Sequence, residues 1–176
     1  MHFRPGDVYL LRPVARAWHS SGVDVAVGVA TPMHRNETRE PLLNGILTLT
    51  ASGPPVGSDI ATFAFANTTI KRGGGKLEVR LNPEFEEGRL IDYFPNGRDR
   101  AMISWPVYET SMVILGGASG GPVVDNSGAT FAINTSGVDG QPDISYVTPI
   151  DFILDAVVEN AALLGDDKPR SYTVRE

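Results

Sequence analysis

The sequence contains no cysteine, and it has only three histidines among its 176 residues. The absence of thiols excludes cysteine nucleophiles, thiolate metal sites and a disulfide framework, although it does not fix the cellular compartment. A reaction that needs an imidazole base would have to use His2, His19 or His34. The supply of histidine is therefore the first constraint on any catalytic mechanism for this chain.

Long apolar runs and an excess of positive charge are also missing. No apolar run approaches the roughly 18 residues that span a bilayer, and residues 1–7 contain no basic segment leading into an apolar stretch. We therefore expect no membrane partner and no signal peptide in this chain, and its localisation stays open. The 15 basic and 21 acidic residues give a net charge of −6, which argues against a nucleic-acid partner.

Glycine and proline punctuate the whole sequence, with 19 and 13 copies, and the stretches between them are short and rich in Val, Ile and Thr. This pattern is typical of an all-β domain, and 41% hydrophobic residues in a chain of this length can form one core. The predicted strands are Asp7–Leu11, Val23–Ala30, Gly45–Thr50, Ile60–Ala66, Lys76–Leu81, Leu90–Tyr93, Ala101–Ser104, Gly121–Val124, Ala129–Thr135 and Ile144–Val147.

One α-helix is predicted near the C-terminus, over residues 148–165. The segment from Thr148 to Asp151 has the spacing of a capping box with proline at the first helical position, and Gly165 supplies a stop. Apolar residues recur after this start at helical spacing, so we expect the helix to pack against the sheet. The charged residues 166–176 are predicted to form a frayed tail.

The most specific chemical signal is the segment Gly117-Ala-Ser-Gly-Gly-Pro122, in which three glycines flank Ser119. Glycines let the backbone turn so that N–H groups gather beside a serine hydroxyl, and an oxyanion hole requires such an arrangement. A plain glycine-rich turn before a strand is the alternative. The order of the candidate catalytic residues along the chain helps to decide between the two.

Three serine-hydrolase architectures are compatible with such a motif. Residues 117–121 match the nucleophile elbow, Gly-x-Ser-x-Gly, but that fold needs a histidine after the serine and all three histidines precede it. The order Asp, His, Ser could be met by Asp24, His34 and Ser119, but that fold places a helix after the serine. Proline followed by two valines forbids such a helix here. The remaining order, His, Asp, Ser, belongs to antiparallel barrels.

The segment from Gly117 to Asp125 resembles the nucleophile segment of trypsin-like serine peptidases with the chymotrypsin fold. Val23–Val27 resembles the strand that delivers the family's triad aspartate, and Pro54–Gly57 resembles the bend that enters its second barrel. Ser145–Ile150 resembles the last strand before its C-terminal helix. The resemblance spans about residues 22 to 162 and is nearest to the cysteine-free bacterial branch. It implies an all-β, chymotrypsin-like double β-barrel with an incomplete first barrel and a C-terminal α-helix.

The resemblance also implies roles for individual residues. Ser119 would be the nucleophile, the N–H groups of Gly117 and Ser119 the oxyanion hole, and Asp24 the residue that orients the base. Asp24 precedes an apolar strand, so we expect it to be half-buried. The base of the primary specificity pocket would lie near Val113. The strand edge that pairs with the substrate backbone would consist of Thr135, Ser136 and Gly137.

By the same resemblance, the chain is a single peptidase domain in five parts. These are the remains of a first barrel (1–30), a connector (31–44), a second barrel (45–147), the helix (148–165) and the tail (166–176).

The family's histidine lies on the first barrel, and this chain offers no well-placed counterpart. Only Met1 precedes His2, so we expect no strand to hold it. His19 lies in a turn before Asp24, and His34 lies in the polar connector. We therefore expect the base to be missing from this chain, through truncation, a start placed too far downstream, or genuine loss.

Two further patterns carry no function. Residues 71–77 suggest a phosphate-binding loop, but Leu77 stands where that motif needs Ser or Thr, so we predict a hairpin loop. The acidic residues between Glu84 and Asp99 have no metal-ligand spacing and no histidine nearby, so we predict a solvated face. We expect no metal and no cofactor.

The sequence thus leaves two functions open. One is a serine endopeptidase that forms an acyl-enzyme on Ser119 and is inactive where the base is missing. The other is a non-catalytic module that uses the same groove to bind peptides. Both predict a peptide or protein as the partner.

Overall fold

The computed structural model describes residues 2–3, 9–10, 13–31, 46–138, 141–163 and 165–175, and these residues are nearly all in β-structure. They form fourteen strands and one short helix. The elements are β1 (His2–Phe3), β2 (Tyr9–Leu10), β3 (Val14–His19), β4 (Ala26–Ala30), β5 (Asp59–Ala64), β6 (Thr69–Gly73), β7 (Lys76–Arg80), β8 (Glu84–Phe94), β9 (Val107–Thr110), β10 (Pro122–Val124), β11 (Thr130–Val138), β12 (Gln141–Pro149), α1 (Asp151–Leu154), β13 (Val157–Ala161) and β14 (Arg170–Thr173).

Six antiparallel strands close into a barrel in the order β5-β8-β9-β12-β11-β10, with β10 pairing back onto β5. Side chains alternate between interior and surface, as in β5, where Ile60 and Ala64 are buried while Asp59 and Phe63 are exposed. This alternation fills the barrel with apolar side chains and leaves no edge between β10 and β5. The largest side chains of this core that are almost completely buried are Leu90, Met112, Val123, Phe131 and Val147.

The remaining strands form four separate hairpins: β1-β2, β3-β4, β6-β7 and β13-β14. The hairpin β3-β4 packs on the barrel through Val25, which is buried in one cluster with Ile150 and Ile153 and against Ile133 of β11. A second cluster joins Trp18 and Val27 to the β13-β14 hairpin. The β3-β4 hairpin therefore lies against the barrel, and the described strands before residue 31 form two separate two-stranded sheets and do not close a barrel of their own.

The all-β class is confirmed, and several strand predictions match, but others were wrong. Residues 101–104 form a bend, not a strand, because Asp99 Oδ1 accepts the N–H groups of Ala101 and Met102. Within Gly45–Thr50, the described residues make only an isolated bridge, from Leu49 to Thr130. Strands β1, β3, β6, β9, β13 and β14 were not predicted from the sequence.

The C-terminal helix is present but spans only Asp151–Leu154, so its predicted extent over 148–165 was wrong. Thr148 lies in β12, and Ile150 occupies the N-cap position without a side-chain hydrogen bond. The apolar residues beyond the helix form β13, which pairs with β14 in the segment that was predicted to be a frayed tail. Among the described residues, no helix is long and apolar enough to cross a membrane.

Candidate active site

Ser119 lies at the exposed tip of a glycine-rich turn that leads into β10. Gly117 and Gly120 have φ values of +93° and +81°, a left-handed region that is costly for residues with a side chain. Ala118, between them, is buried in the barrel core. The glycines thus let one residue of the turn face inward while its neighbour Ser119 faces solvent.

Hydrogen bonds fix the two peptide groups that precede Gly117 and Ser119. The Gly116 carbonyl accepts the Asn67 N–H at 3.2 Å, and the Ala118 carbonyl accepts the Gly121 N–H at 3.0 Å. In a trans peptide the N–H points away from the carbonyl of the same unit, so the N–H groups of Gly117 and Ser119 point away from these anchors. Neither N–H donates a hydrogen bond to another described residue. Two unpaired N–H groups beside a serine hydroxyl can stabilise an oxyanion.

The Ser119 hydroxyl donates to the Thr135 carbonyl oxygen at 3.2 Å. A carbonyl cannot take up the hydroxyl proton at neutral pH, so this contact orients the side chain without activating it. The Thr135 hydroxyl lies 2.6 Å from the Thr148 hydroxyl, which accepts a hydrogen bond from the Trp105 ring N–H at 3.0 Å. This chain of contacts fixes β11 at the point where Ser119 touches it.

No described imidazole contacts Ser119. His19 is exposed at the end of β3, and its Nδ1 lies 3.3 Å from the Ser20 carbonyl oxygen. His2 belongs to β1 and pairs with Leu10, so the expectation that no strand would hold His2 was wrong. His34 lies outside the described residues. A base for Ser119 is therefore missing from the contacts that the described residues make.

Asp24 lies in the bend before β4, and it is exposed rather than half-buried as predicted. Its carboxylate makes no hydrogen bond or ion pair with another described residue. The neighbouring Val25 is buried against the cluster that includes Ile133, two residues before Thr135 on β11. The segment that carries Asp24 thus lies beside the strand that Ser119 contacts, while its role as the residue that orients the base stays a prediction.

The residues predicted to pair with substrate, Thr135, Ser136 and Gly137, lie in β11 beyond the end of its pairing with β10. That pairing ends at Ile133, and the main chain of Asn134 then bonds to Gly120 and Gly121 of the turn. On this side, residues 135–137 have no strand partner among the described residues, and a bulge in the β11-β12 ladder occurs at Thr135. An unpaired edge of this kind can accept an extended peptide.

Val113 is half-buried and lies between Met112 and Ile114, which are both buried. The Ile114 N–H donates to Ser145 Oγ at 3.2 Å. A methyl group built on Gly137 would lie 2.5 Å from the Ile114 carbonyl oxygen, so the segment around Val113 directly adjoins the candidate substrate edge.

Three residues that support the turn were not among the site residues predicted from the sequence: Asn67, Thr62 and Asn134. Asn67 has a φ of +53° and meets Gly116, as described above. Asn134 is 1% exposed, and its Nδ2 donates to Thr62 Oγ1 at 2.8 Å and to the Ala118 carbonyl at 3.3 Å. The sequence signal for Asn134 was a polar residue directly after the apolar run from Phe131 to Ile133. Within the described part of the chain, no group of three or more potential ligands could hold a metal ion.

No protein-family model and no curated protein matches the chain. Three solved structures of the protein Rv3671c from M. tuberculosis resemble it. The active form of this protease is 17% identical with a TM-score of 0.55, covering 85% of this chain and 58% of that chain. The inactive form of a serine-to-alanine variant is 19% identical with a TM-score of 0.52, covering 82% and 62%. An inactive form of the protease is 18% identical with a TM-score of 0.50, covering 78% and 61%.

At these identities the comparison shows the fold alone. The chain has a chymotrypsin-like protease fold, as the sequence analysis predicted. It spans about three-fifths of the length of the solved structures that it matches.

Proposed function

We propose that this chain carries the nucleophile of a trypsin-like serine endopeptidase, and that the nucleophile is Ser119. One observation supports this most strongly: Ser119 is exposed on a turn whose two outward N–H groups, of Gly117 and Ser119, have no partner among the described residues. The chymotrypsin-like fold is the context in which such a turn serves acyl transfer.

The proposed reaction proceeds in two halves. Ser119 Oγ attacks the carbonyl carbon of the scissile peptide bond while a base takes the hydroxyl proton, and the N–H groups of Gly117 and Ser119 hold the resulting oxyanion. The C–N bond then breaks, and the amine leaves with the proton from the base. Water, deprotonated by the same base, attacks the ester and releases the acid and free Ser119.

The base in this mechanism is a histidine oriented by a carboxylate, and we propose Asp24 for the carboxylate. Because no described imidazole contacts Ser119, we propose that the chain by itself has an unactivated hydroxyl. Loss of a triad member removes several orders of magnitude of rate, while oxyanion stabilisation and binding persist. Membership of the cysteine-free bacterial branch is likewise a proposal, based on the resemblance over about residues 22 to 162 and on the absence of cysteine.

We further propose that an intact form of the enzyme prefers medium-sized apolar residues before the scissile bond. The segment Met112–Leu115 is apolar, and a basic substrate residue would need a buried carboxylate to offset its desolvation. A peptide-library profile would check this, and dominant cleavage after Arg or Lys would contradict it.

A fluorophosphonate probe tests the nucleophile proposal. We expect slow labelling that intact-protein and peptide mass spectrometry assign to Ser119. The rate should increase with pH and show no plateau near pH 7, because hydroxide rather than an imidazole removes the proton. Ser119→Ala should abolish the labelling, while Ser127→Ala, which removes another exposed serine hydroxyl, should leave the rate unchanged.

Other outcomes of this experiment distinguish the identity of the nucleophile from the absence of a base. Labelling of residues other than Ser119 would reject the nucleophile. Rapid labelling with a plateau near pH 7 that His2→Ala abolishes would instead keep the nucleophile and identify His2 as the base.

The second candidate is a peptide-binding module without catalysis. The unpaired edge of residues 135–137 favours it, together with the absence of an imidazole contact to Ser119 among the described residues. Peptide binding that Ser119→Ala does not weaken, together with no labelling at any pH, would select this function.

A further inference from the structure

The side chain of Asn134 lies directly beneath the nucleophile turn and is buried. Besides the two bonds from its Nδ2, its main-chain N–H donates to the Gly121 carbonyl at 2.9 Å, and its carbonyl accepts the Gly120 N–H at 2.8 Å. Asn134 therefore bonds to three residues of the turn, on both sides of Ser119. The catalytic steps proposed above do not use this residue.

The hydrogen-bond network fixes the orientation of the Asn134 amide. Thr62 Oγ1 donates its only proton to the Pro122 carbonyl at 2.7 Å, so toward Asn134 it can only accept. The Ala118 carbonyl can also only accept. Both contacts therefore require the NH₂ end of the amide. The Oδ1 atom is buried and has no partner among the described residues, so the amide is held by its donor end alone.

We infer that Asn134 is a positioning residue for the oxyanion hole, an inference that rests on the proposed function of Ser119. The Ala118 carbonyl and the Ser119 N–H belong to one planar peptide group and point in opposite directions. Nδ2 of Asn134 binds the carbonyl on the inner side of the turn, and this bond keeps the Ser119 N–H directed outward. Thr62 in turn holds Nδ2 in place.

Without Nδ2, the Ala118 carbonyl would keep only its bond from the Gly121 N–H. That bond spans a tight turn between flexible glycines, so the peptide group would have more freedom to rotate. Removal of one oxyanion donor costs about 10²–10³ in rate. Partial misalignment of the Ser119 N–H should therefore slow phosphonylation of Ser119 by roughly tenfold or more.

The test uses Asn134→Leu, which keeps the approximate size of the side chain and removes the donor. The matched control is Thr130→Val on the same strand, because the Thr130 hydroxyl is buried and has no partner among the described residues. Two measurements are made on the full chain: a crystal structure of the turn, and the rate of fluorophosphonate labelling relative to the wild-type chain. Thermal unfolding establishes that each variant is folded.

In Asn134→Leu we expect a rotated or disordered Ala118–Ser119 peptide and labelling that is slower by about tenfold or more. Thr130→Val should keep the turn and label within about twofold of the wild-type rate. An unchanged turn with an unchanged labelling rate in folded Asn134→Leu would overturn the inference.

A second pair of variants covers the case in which Asn134→Leu does not fold. Thr62→Val removes the acceptor that holds Nδ2, while Thr62→Ser keeps it. Slower labelling in the valine variant alone supports the inference, and equal rates in the two variants overturn it.

Failure of the proposed function gives a different result from failure of this inference. If Ser119 is not a nucleophile, the probe does not label Ser119 in the wild-type chain. The crystal structure of Asn134→Leu still shows whether Asn134 orients the Ala118–Ser119 peptide group.

Discussion

Gly137 lies close to the segment that follows Met112, on the candidate substrate edge. A methyl group on Gly137 would lie 2.5 Å from the Ile114 carbonyl oxygen, and a backbone atom cannot move aside as easily as the end of a side chain. Gly137 has no positive φ, so close approach rather than backbone conformation requires glycine there. The candidate substrate edge and the segment after Met112 would form two walls of the proposed specificity pocket, and these walls meet at Gly137.

We predict that Gly137→Ala displaces the segment around Ile114 and destabilises the chain by about 1–3 kcal/mol, the usual cost of overpacking. Urea unfolding measures the change. Gly128→Ala is the comparison, because a methyl group there meets open space and only the positive φ of +79° opposes it. Equal stability of Gly137→Ala and the wild-type chain would show that the two walls are not in contact.

Among the individual residues of the site, the sequence predicted Ser119 and its glycines but not their supports. The glycines could be predicted because they lie within two residues of Ser119 in the sequence. Asn67 meets the turn through barrel closure, where β10 pairs with β5, and Asn134 meets it through the pairing of β10 with β11. The exposure of Asp24 does not follow from the apolar residues after it, because Val25 is buried while Asp24 lies in the bend before β4 and faces solvent.

The hairpin that joins β10 to β11 is held by the carboxylate of Asp125. Asp125 Oδ1 accepts the Ser127 hydroxyl at 2.6 Å, the Ser127 N–H at 2.8 Å and the Ala129 N–H at 3.1 Å. The Ser127 hydroxyl contributes most to lowering the pKa of Asp125 below its usual value. Desolvation by burial is the next largest effect and opposes it, and the backbone N–H groups lower the pKa further. The carboxylate form is thus favoured in the folded chain.

We predict that this hairpin loses stability in acid. A carboxyl group whose pKa is lower in the folded than in the unfolded chain stabilises the fold above its unfolded pKa, near 3.9, and loses that contribution as pH falls through the folded value. Asp125→Asn should therefore destabilise the chain at neutral pH and flatten the acid side of its stability profile. Thermal unfolding between about pH 2 and pH 7 measures both effects. An acid side as steep in Asp125→Asn as in the wild-type chain would contradict the assignment.

The strands of the barrel were the most predictable elements, and the C-terminal segment was the least. In β5, alternation of buried and exposed residues is visible in the sequence, so its prediction was close. After α1, the apolar residues fit a helical period, but Val157 and Val158 also favour a strand. This segment forms a strand because it pairs with β14, and the pairing buries Val158 and Tyr172. The residues of β13 alone do not predict that partner.

At the scale of the whole molecule, the nucleophile turn belongs to the closed barrel, whereas the N-terminal hairpins are separate two-stranded sheets. Residues 116–121 and the groups that bond to them lie within or between strands of the closed barrel, from Asn67 to Thr135. The hairpin β3-β4, which follows the segment of residues 1–12, packs on the outside of that barrel. The positions of the Gly117 and Ser119 N–H groups therefore depend on the barrel. The base that would activate Ser119 is not among the described residues that contact it.

The most direct test of the nucleophile assignment is a crystal structure of the chain after prolonged reaction with a fluorophosphonate. We predict a covalent bond from phosphorus to Ser119 Oγ, with the phosphoryl oxygen about 2.7–3.1 Å from the backbone nitrogens of both Gly117 and Ser119. An adduct whose phosphoryl oxygen meets neither nitrogen would contradict the proposed oxyanion hole. An adduct on any residue other than Ser119 would contradict the account as a whole.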